Sequence, residues 1–231
     1  MKFKVSIIIA VLDSHMVVKR QIKYFNSLGL PDDVEIIFMD DGSDPPLKTL
    51  RTYNLKNFAI YPTEDTRPWS QACARNLGAK IAQGKFLLMT DIDHILSKDA
   101  IMAVRNFTGD KMIFLRSYAI IDKHGNINQN LKTLYRYGLT KTQYKKHGLR
   151  KSRHTNTFAI RRSIYFELNG YHPRYCNRPL KGNKGDKSFF HRYLKYHKQG
   201  HCKWQEQGPD IYTYPGLPED PLKIFHKLKR E

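Results

Sequence analysis

The chain has 231 residues, with 40 Lys/Arg against 21 Asp/Glu and a formal net charge of +19. Its 40% hydrophobic and 12% aromatic content supports a real core, in one large domain or two small ones. No run of 18 or more apolar residues exists, which excludes a membrane-spanning helix.

The start, Met1 to Val11, pairs a basic end with an apolar run, as signal peptides do. Asp13 follows at once, no small-x-small cleavage site is present, and the run is β-branched, so it predicts a first buried strand near 4–10. A helix near 15–28 follows, with Ser14 as its cap and Val17, Val18, Ile22, Phe25 and Leu28 at helical spacing. The apolar run Val34–Met39 predicts a second strand and ends in Asp40-Asp41-Gly42-Ser43. A helix is expected near 46–53 and a strand near 57–61. Ser70 caps a helix near 70–83 with Ala74, Leu77, Gly78 and Ile81 along one face. The strand near 85–90 ends in Asp91-Ile92-Asp93-His94, and a helix near 97–106 and a strand near 112–120 complete a βαβ pattern.

Beyond residue 122 the pattern loosens. Asp122-Lys123-His124-Gly125-Asn126 predicts a hairpin turn. Residues 128–154 read as a polar, basic stretch. A strand near 156–160, a helix near 161–168, an open loop from Gly170 to Gly185 and a helix from Asp186 to about His197 follow. The last thirty residues, with Pro209, Pro215, Pro218 and Pro221, read as a wrapping tail.

The charge is one-sided. Residues 1–122 hold 16 Lys/Arg and 14 Asp/Glu, and residues 206–231 hold 4 and 5. Residues 123–205 hold 20 and 2, the acids being Glu167 and Asp186. A field of one sign draws a polyanion: nucleic acid, an anionic glycan or an anionic membrane surface. The three cysteines (Cys73, Cys176, Cys202) are odd in number and widely spaced, which suits reduced thiols in a cytoplasm. Cys176, His201 and Cys202 fit no compact zinc site.

The chemistry sits on the acid-tipped strands. Open α/β sheets bind ligands at the C-terminal ends of their strands. Two carboxylates one residue apart there can meet a divalent cation, and that cation can hold a diphosphate. Asp-x-Asp recurs by chance. Its weight here comes from the apolar strand before it and the upstream Asp-Asp-Gly-Ser.

Val5-Ser6-Ile7-Ile8-Ile9, Asp40-Asp41-Gly42-Ser43, Ala74-Arg75-Asn76-Leu77-Gly78-Ala79 and Gly84 to Asp93 together resemble, in order and spacing, the family 2 glycosyltransferases of the GT-A fold. Gly185-Asp186-Lys187-Ser188-Phe189-Phe190 is similar to that family's catalytic-base segment, with Gly185 where a Glu is commoner. The resemblance covers most of residues 3–200 and is strongest over the first 120. It implies an α/β, Rossmann-like, mostly parallel central sheet flanked by helices. The chain would be a single GT-A domain, with a nucleotide-sugar half at 1–122 and a basic acceptor half and tail at 123–231. The implied enzyme is a metal-dependent, inverting hexosyl or pentosyl transferase using a UDP-sugar.

The same resemblance implies the site residues. The donor site would draw on Ala10, Val11, Asp13, Asp41, Arg75 and Asp91. Asp41 would accept from the uracil N–H, and Arg75 would face the nucleotide or brace the carboxylates. Asp91 would touch the ribose or the metal's waters, and Asp93 would ligate Mg2+ or Mn2+. His226 would stand near the metal or phosphates. Asp186 would be the base, although a lone Asp at a helix start is ordinarily an N-cap; its basic surroundings predict a charged group at neutral pH. His94 receives no role.

For the acceptor, Lys141, Lys145, Lys146, Arg150, Lys151 and Arg153, interleaved with Tyr135, Tyr137, Tyr144 and His147, suit phosphate tracking and base stacking. The first reading is phage-type DNA modification at hydroxymethylated, flipped bases, in a host cytoplasm. A cell-surface glycan or lipopolysaccharide transferase is the alternative. A non-catalytic nucleic-acid-binding module would require lost metal carboxylates, and these are present.

Overall fold

The computed structural model describes residues 2–50, 55–64, 70–122, 125–176 and 184–215. The strands are β1 (Phe3–Val11), β2 (Val34–Asp40), β3 (Phe58–Pro62), β4 (Gly84–Asp91), β5 (His94–Ile95), β6 (Lys111–Tyr118), β7 (Ile120–Ile121), β8 (Ile127–Asn128), β9 (Arg150–Arg161), β10 (Glu206–Gln207) and β11 (Ile211–Thr213). The helices are α1 (His15–Ser27), α2 (Gln71–Ile81), α3 (Lys98–Arg105), α4 (Leu131–Arg136), α5 (Lys141–His147), α6 (Arg162–Glu167) and α7 (Lys184–Lys198).

Nine strands form one sheet in the order β3-β2-β1-β4-β9-β6-β11-β5, with β10 also on β6. The first four run parallel. β9 is antiparallel to both β4 and β6, so the sheet is mixed overall. β2 is buried at every residue, as a parallel strand covered on both faces must be.

Alternation along β1 sorts its residues to two cores. Val5, Ile7, Ile9 and Val11 pack with Val18, Ile22 and Phe25 of α1 and Ala100, Ile101 and Val104 of α3. Ile8 and Ala10 face Ala72, Ala74 and Ala79 of α2, Ile164 and Tyr165 of α6, and Phe189 and Tyr193 of α7. Each such aliphatic side chain contributes about 1.5–3 kcal/mol on burial. α2 lies unusually close to the sheet because of Gly78: a Cβ there would stand 2.7 Å from Ile8 Cγ2.

Several expectations give way. Of the helix expected near 46–53, the described residues up to 50 form a 3-10 turn, Leu47–Thr49, and 51–53 lie outside the described residues. Ser14 makes no cap bond; its hydroxyl donates to the carbonyl of Leu12 instead. Ser70 does cap α2, accepting from the Cys73 N–H. α7 begins at Lys184, so Asp186 lies inside its first turn. β7 and β8 pair antiparallel on either side of the turn expected at Asp122–Asn126, of which residues 123 and 124 lie outside the described residues. The basic stretch after it is structured: α4 and α5 pack on a small core of Tyr118, Ile120, Leu134 and Leu139, joined by Tyr144 and Tyr214. In the described part of the tail, up to residue 215, β11 pairs with both β6 and β5; residues 216–231 lie outside the described residues.

Candidate active site

Strand register brings the acid tips together. Val11 pairs with Asp40, and Ala10 pairs with Asp91, so the ends of β1, β2 and β4 lie side by side. The two acids after β2 diverge in role. Asp40 is consumed by its own turn, accepting from the N–H groups of Ser43 (3.0 Å) and Leu47 (2.8 Å). Asp41 accepts from Thr63 Oγ1 and the Ser70 N–H, both at 2.8 Å. Asp13 has a positive φ of 45° and accepts from the Asp44 N–H at 2.9 Å, while its own N–H donates to Ser43 Oγ. It braces the Asp40–Asp44 turn.

Arg75 is the centre of the arrangement. α2 carries it fully buried beneath the strand tips. Its Nη2 donates to Asp91 Oδ1 at 2.7 Å, and its Nη1 donates to Asp186 Oδ1 at 3.1 Å and to Tyr171 Oη at 2.9 Å. Of the two roles expected for Arg75, bracing the carboxylates is the one its contacts perform. Burial by itself would lower its pKa; Tyr171, Asp91 and Asp186 together raise it. Asp91 also accepts from Gln71 Nε2 (2.5 Å) and, at Oδ2, from Asn156 Nδ2 (3.2 Å).

Asp186 is 6% exposed, and Tyr171 Oη donates to its Oδ1 at 2.9 Å. The expectation that basic surroundings favour its ionisation is corrected. Burial dominates and raises the carboxyl pKa, with Arg75 and the Tyr171 hydrogen bond pulling the other way. Among the described residues, Arg75 is the cation that contacts it. Tyr171 is itself held by Asn76, which accepts its N–H at 2.8 Å and donates to its carbonyl at 2.9 Å.

The ligand-capable atoms of Asp91, Asp93 and His94 lie within 4.8 Å of one another. The set is mainly of hard oxygen donors, which suits Mg2+ or Mn2+. His94 is less available. Arg116 Nη1 can only donate, so His94 Nε2 accepts it at 3.2 Å, and Nδ1 then carries the proton toward Thr157 Oγ1 at 2.7 Å. The lone pair of His94 is therefore committed to Arg116. Asp91 accepts from Arg75, Gln71 and Asn156, and Asp93 is the second carboxylate of the cluster.

Sequence reasoning did not find Tyr171, Gln71, Asn156, His94 or Arg20. Arg20 of α1 stacks on Tyr214, with its guanidinium 3.8 Å from the ring centroid. Its Nε and Nη2 are buried without a hydrogen-bond partner among the described residues, a condition that costs about 1–3 kcal/mol per unsatisfied group. Only His94, directly after Asp-x-Asp, carried a local signal.

The expected acceptor residues lie apart from this cluster. Lys141 and Lys145 are exposed on one face of α5, and Tyr135 and Tyr137 are exposed nearby. Tyr144 is turned into the small core, so it is no stacking platform. The side chains of Lys146, His147, Arg150, Lys151 and Arg153 lie outside the described residues, as does His226.

A parallel sheet tipped with paired carboxylates and closed by an antiparallel strand defines a GT-A glycosyltransferase scaffold. The chain belongs to the family described as Glycosyltransferase like family 2, which matches residues 6–199. A search of curated proteins by sequence finds no match. Among solved structures, S. aureus TarS 1-349 in complex with UDP-GlcNAc is similar at 15% identity and a TM-score of 0.56, covering 99% of this chain and 65% of that one. The mannosyltransferase PcManGT from Pyrobaculum calidifontis, in complex with GDP-Man and Mn2+, is 16% identical with a TM-score of 0.55 and coverages of 100% and 65%. Glucosyl-3-phosphoglycerate synthase from Mycobacterium tuberculosis, with Mn2+, UDP and glucosyl-3-phosphoglycerate, is 13% identical with a TM-score of 0.53 and coverages of 99% and 76%. At these identities the likeness is one of fold. The chain spans under two thirds of the TarS and PcManGT chains. No helix among the described residues is long and apolar enough to cross a membrane.

Proposed function

We propose that this chain transfers a sugar from a nucleotide diphosphate donor to a hydroxyl of an anionic acceptor, with inversion at the anomeric carbon. The observation that carries the reading is Arg75, which ties the Asp91 end of the Asp-x-Asp turn to Asp186. A divalent cation held by Asp93, with Asp91 beside it, would neutralise charge on the leaving diphosphate. Asp41 reads the uracil N–H from a position fixed by Thr63 Oγ1 and the Ser70 N–H, which donate to its two oxygens. Ala10 and Val11 supply the strand tip beneath the nucleotide. Asp186 Oδ1 is held by Arg75 and Tyr171, so Oδ2 takes the acceptor proton as the new C–O bond forms and the bond to diphosphate breaks. UDP-GlcNAc, GDP-Man and UDP in the similar structures, with Mn2+ in two of them, support this class of donor and metal.

The acceptor half carries the excess charge. Exposed Tyr135 and Tyr137 beside Lys141 and Lys145 favour hydroxymethylated DNA. A phosphorylated or cell-surface glycan acceptor is favoured by a different observation. Hollows of about 370 and 460 Å³ adjoin along the outer face of α7, sharing Arg192 and Lys195, with Lys187 and His191 in the second. The phosphoglycerate product in the mycobacterial synthase complex supports an anionic acceptor of that kind. The free thiols of Cys73, Cys176 and Cys202 suit a reducing cytoplasm.

The test is calorimetric. UDP binds far more tightly with Mn2+ than without it, and Asp93→Ala removes that gain; UDP binding indifferent to metal overturns the assignment. Asp186→Asn abolishes donor turnover while leaving UDP binding intact. Sugar transfer to 5-hydroxymethylcytosine DNA, run beside a panel of phosphorylated and lipid-linked glycans, decides the acceptor.

A further inference from the structure

Two neighbouring residues of α1 meet the Asp-x-Asp turn. Gln21 is fully buried and donates from Nε2 to the carbonyls of Ile92 (2.8 Å) and His94 (2.6 Å), the residues on either side of Asp93. This clamp fixes α1 against the turn. Arg20 precedes it, flat on the Tyr214 ring at 3.8 Å. Thr213 pairs with His94 in antiparallel register, so Tyr214 and the Arg20 stacked on it lie beside Asp93.

The unpaired atoms of Arg20 are informative because of which two they are. Nε and Nη2 are buried and lack a partner among the described residues. Their N–H bonds form one edge of the guanidinium and point the same way, the fork that takes two oxygens of a phosphate in parallel. Stacking on Tyr214 fixes the plane of that fork. An arginine anchored by packing, with one complete edge left unpaired beside a carboxylate turn, is built for an anion that arrives with the substrate.

We infer that Arg20, seated on Tyr214 and aligned by its neighbour Gln21, is a diphosphate-binding residue that grips the leaving group opposite Asp93. The inference takes the source of the diphosphate from the nucleotide-sugar reading above. The chemistry of the fork requires only a diphosphate. Arg20 would add a fixed positive charge where two carboxylates and a diphosphate otherwise crowd together. Its hold strengthens as charge builds on the departing oxygen, so it would assist bond breaking as well as binding.

The experiment titrates UDP, uridine and inorganic pyrophosphate, each with Mn2+, into the full chain and into Arg20→Gln and Arg20→Lys. Arg20→Gln weakens UDP and pyrophosphate by roughly ten- to a hundredfold, as expected for a lost bidentate charge-assisted contact, and leaves uridine unchanged. Arg20→Lys keeps the charge but not the fork, and recovers only part of the loss. Unchanged UDP and pyrophosphate affinities in both variants overturn the assignment. So does an equal loss for uridine, which would mark a structural role. Pyrophosphate that binds through Arg20 in a chain that ignores UDP supports the subsite and sinks the nucleotide reading. UDP that binds with Mn2+ but without dependence on Arg20 does the reverse.

Discussion

Tyr171 donates its phenolic proton to Asp186 Oδ1 across 2.9 Å, and both groups are buried. The contact sets which carboxylate oxygen is basic and how basic it is. Burial raises the Asp186 pKa, and this hydrogen bond, with Arg75, opposes the rise. Tyr171→Phe removes a donor to the charged form, so the pKa moves further up. A base works when ionised, and activity is lost as pH falls through its pKa. The acid limb of the kcat/KM profile for donor turnover therefore shifts to higher pH in Tyr171→Phe, with a several-fold loss near neutrality. UDP affinity in the presence of Mn2+ stays the same. A profile that does not move would show that Tyr171 only fills space.

Arg75 is the residue whose loss should be felt most. Removing it leaves Asp91 and Asp186 facing each other's charge in a buried site, with the guanidinium gone from between them. Breaking a buried ion pair by deleting one partner costs about 3–5 kcal/mol. Arg75→Ala should lower unfolding stability by about that amount in urea. Arg75→Lys keeps a charge, but a single ammonium cannot span both carboxylates, so it recovers stability only in part and leaves turnover low.

Gly170 tests how Tyr171 is aimed. Its φ is +55°, and a Cβ would stand 2.5 Å from Asn76 Oδ1 and 2.9 Å from Tyr165 Cε1. Asn76 Oδ1 is the same atom that accepts the Tyr171 N–H. Gly170→Ala should cost at least about 1–2 kcal/mol through the left-handed backbone alone. It should also reduce turnover by displacing the phenol, while metal-dependent UDP binding, made on the other side of Arg75, persists.

What the sequence disclosed and what it hid follow from the range of each interaction. The strands ending at Asp40 and Asp91 were legible because continuous apolar runs mark doubly covered parallel strands. The Ser70 cap was legible because its partner lies three residues away. Tyr171 was not legible, since it meets Arg75 from 96 positions along the chain and reads as one aromatic in a loop. The ionisation of Asp186 was misjudged for the same reason. Sequence charge density gave no sign of the burial that governs the carboxyl. β11 was missed because three residues carry no periodicity, and α4 and α5 because polar surfaces hide the short apolar contacts beneath them.

The last prediction concerns a cation away from the site. Lys111 on β6 is 2% exposed, with its Nζ 5.2, 4.7 and 4.6 Å from the ring centroids of Phe158, Phe190 and Tyr193. Burial lowers its pKa to about 7, with the Cys202 thiol working weakly the other way. In the unfolded chain the amine titrates near its ordinary 10.5. Between those values the unfolded state binds more protons, so stability rises with pH from about 7 toward about 10.5. Below the lower value both states are protonated and the full burial penalty stands. Lys111→Met fills the aromatic box without a charge. It should raise stability at pH 7 and flatten the rise between pH 7 and 9, a change of up to a few kcal/mol read from urea midpoints. A wild-type midpoint that does not increase over that interval would mean the ammonium finds a compensating partner in the folded chain.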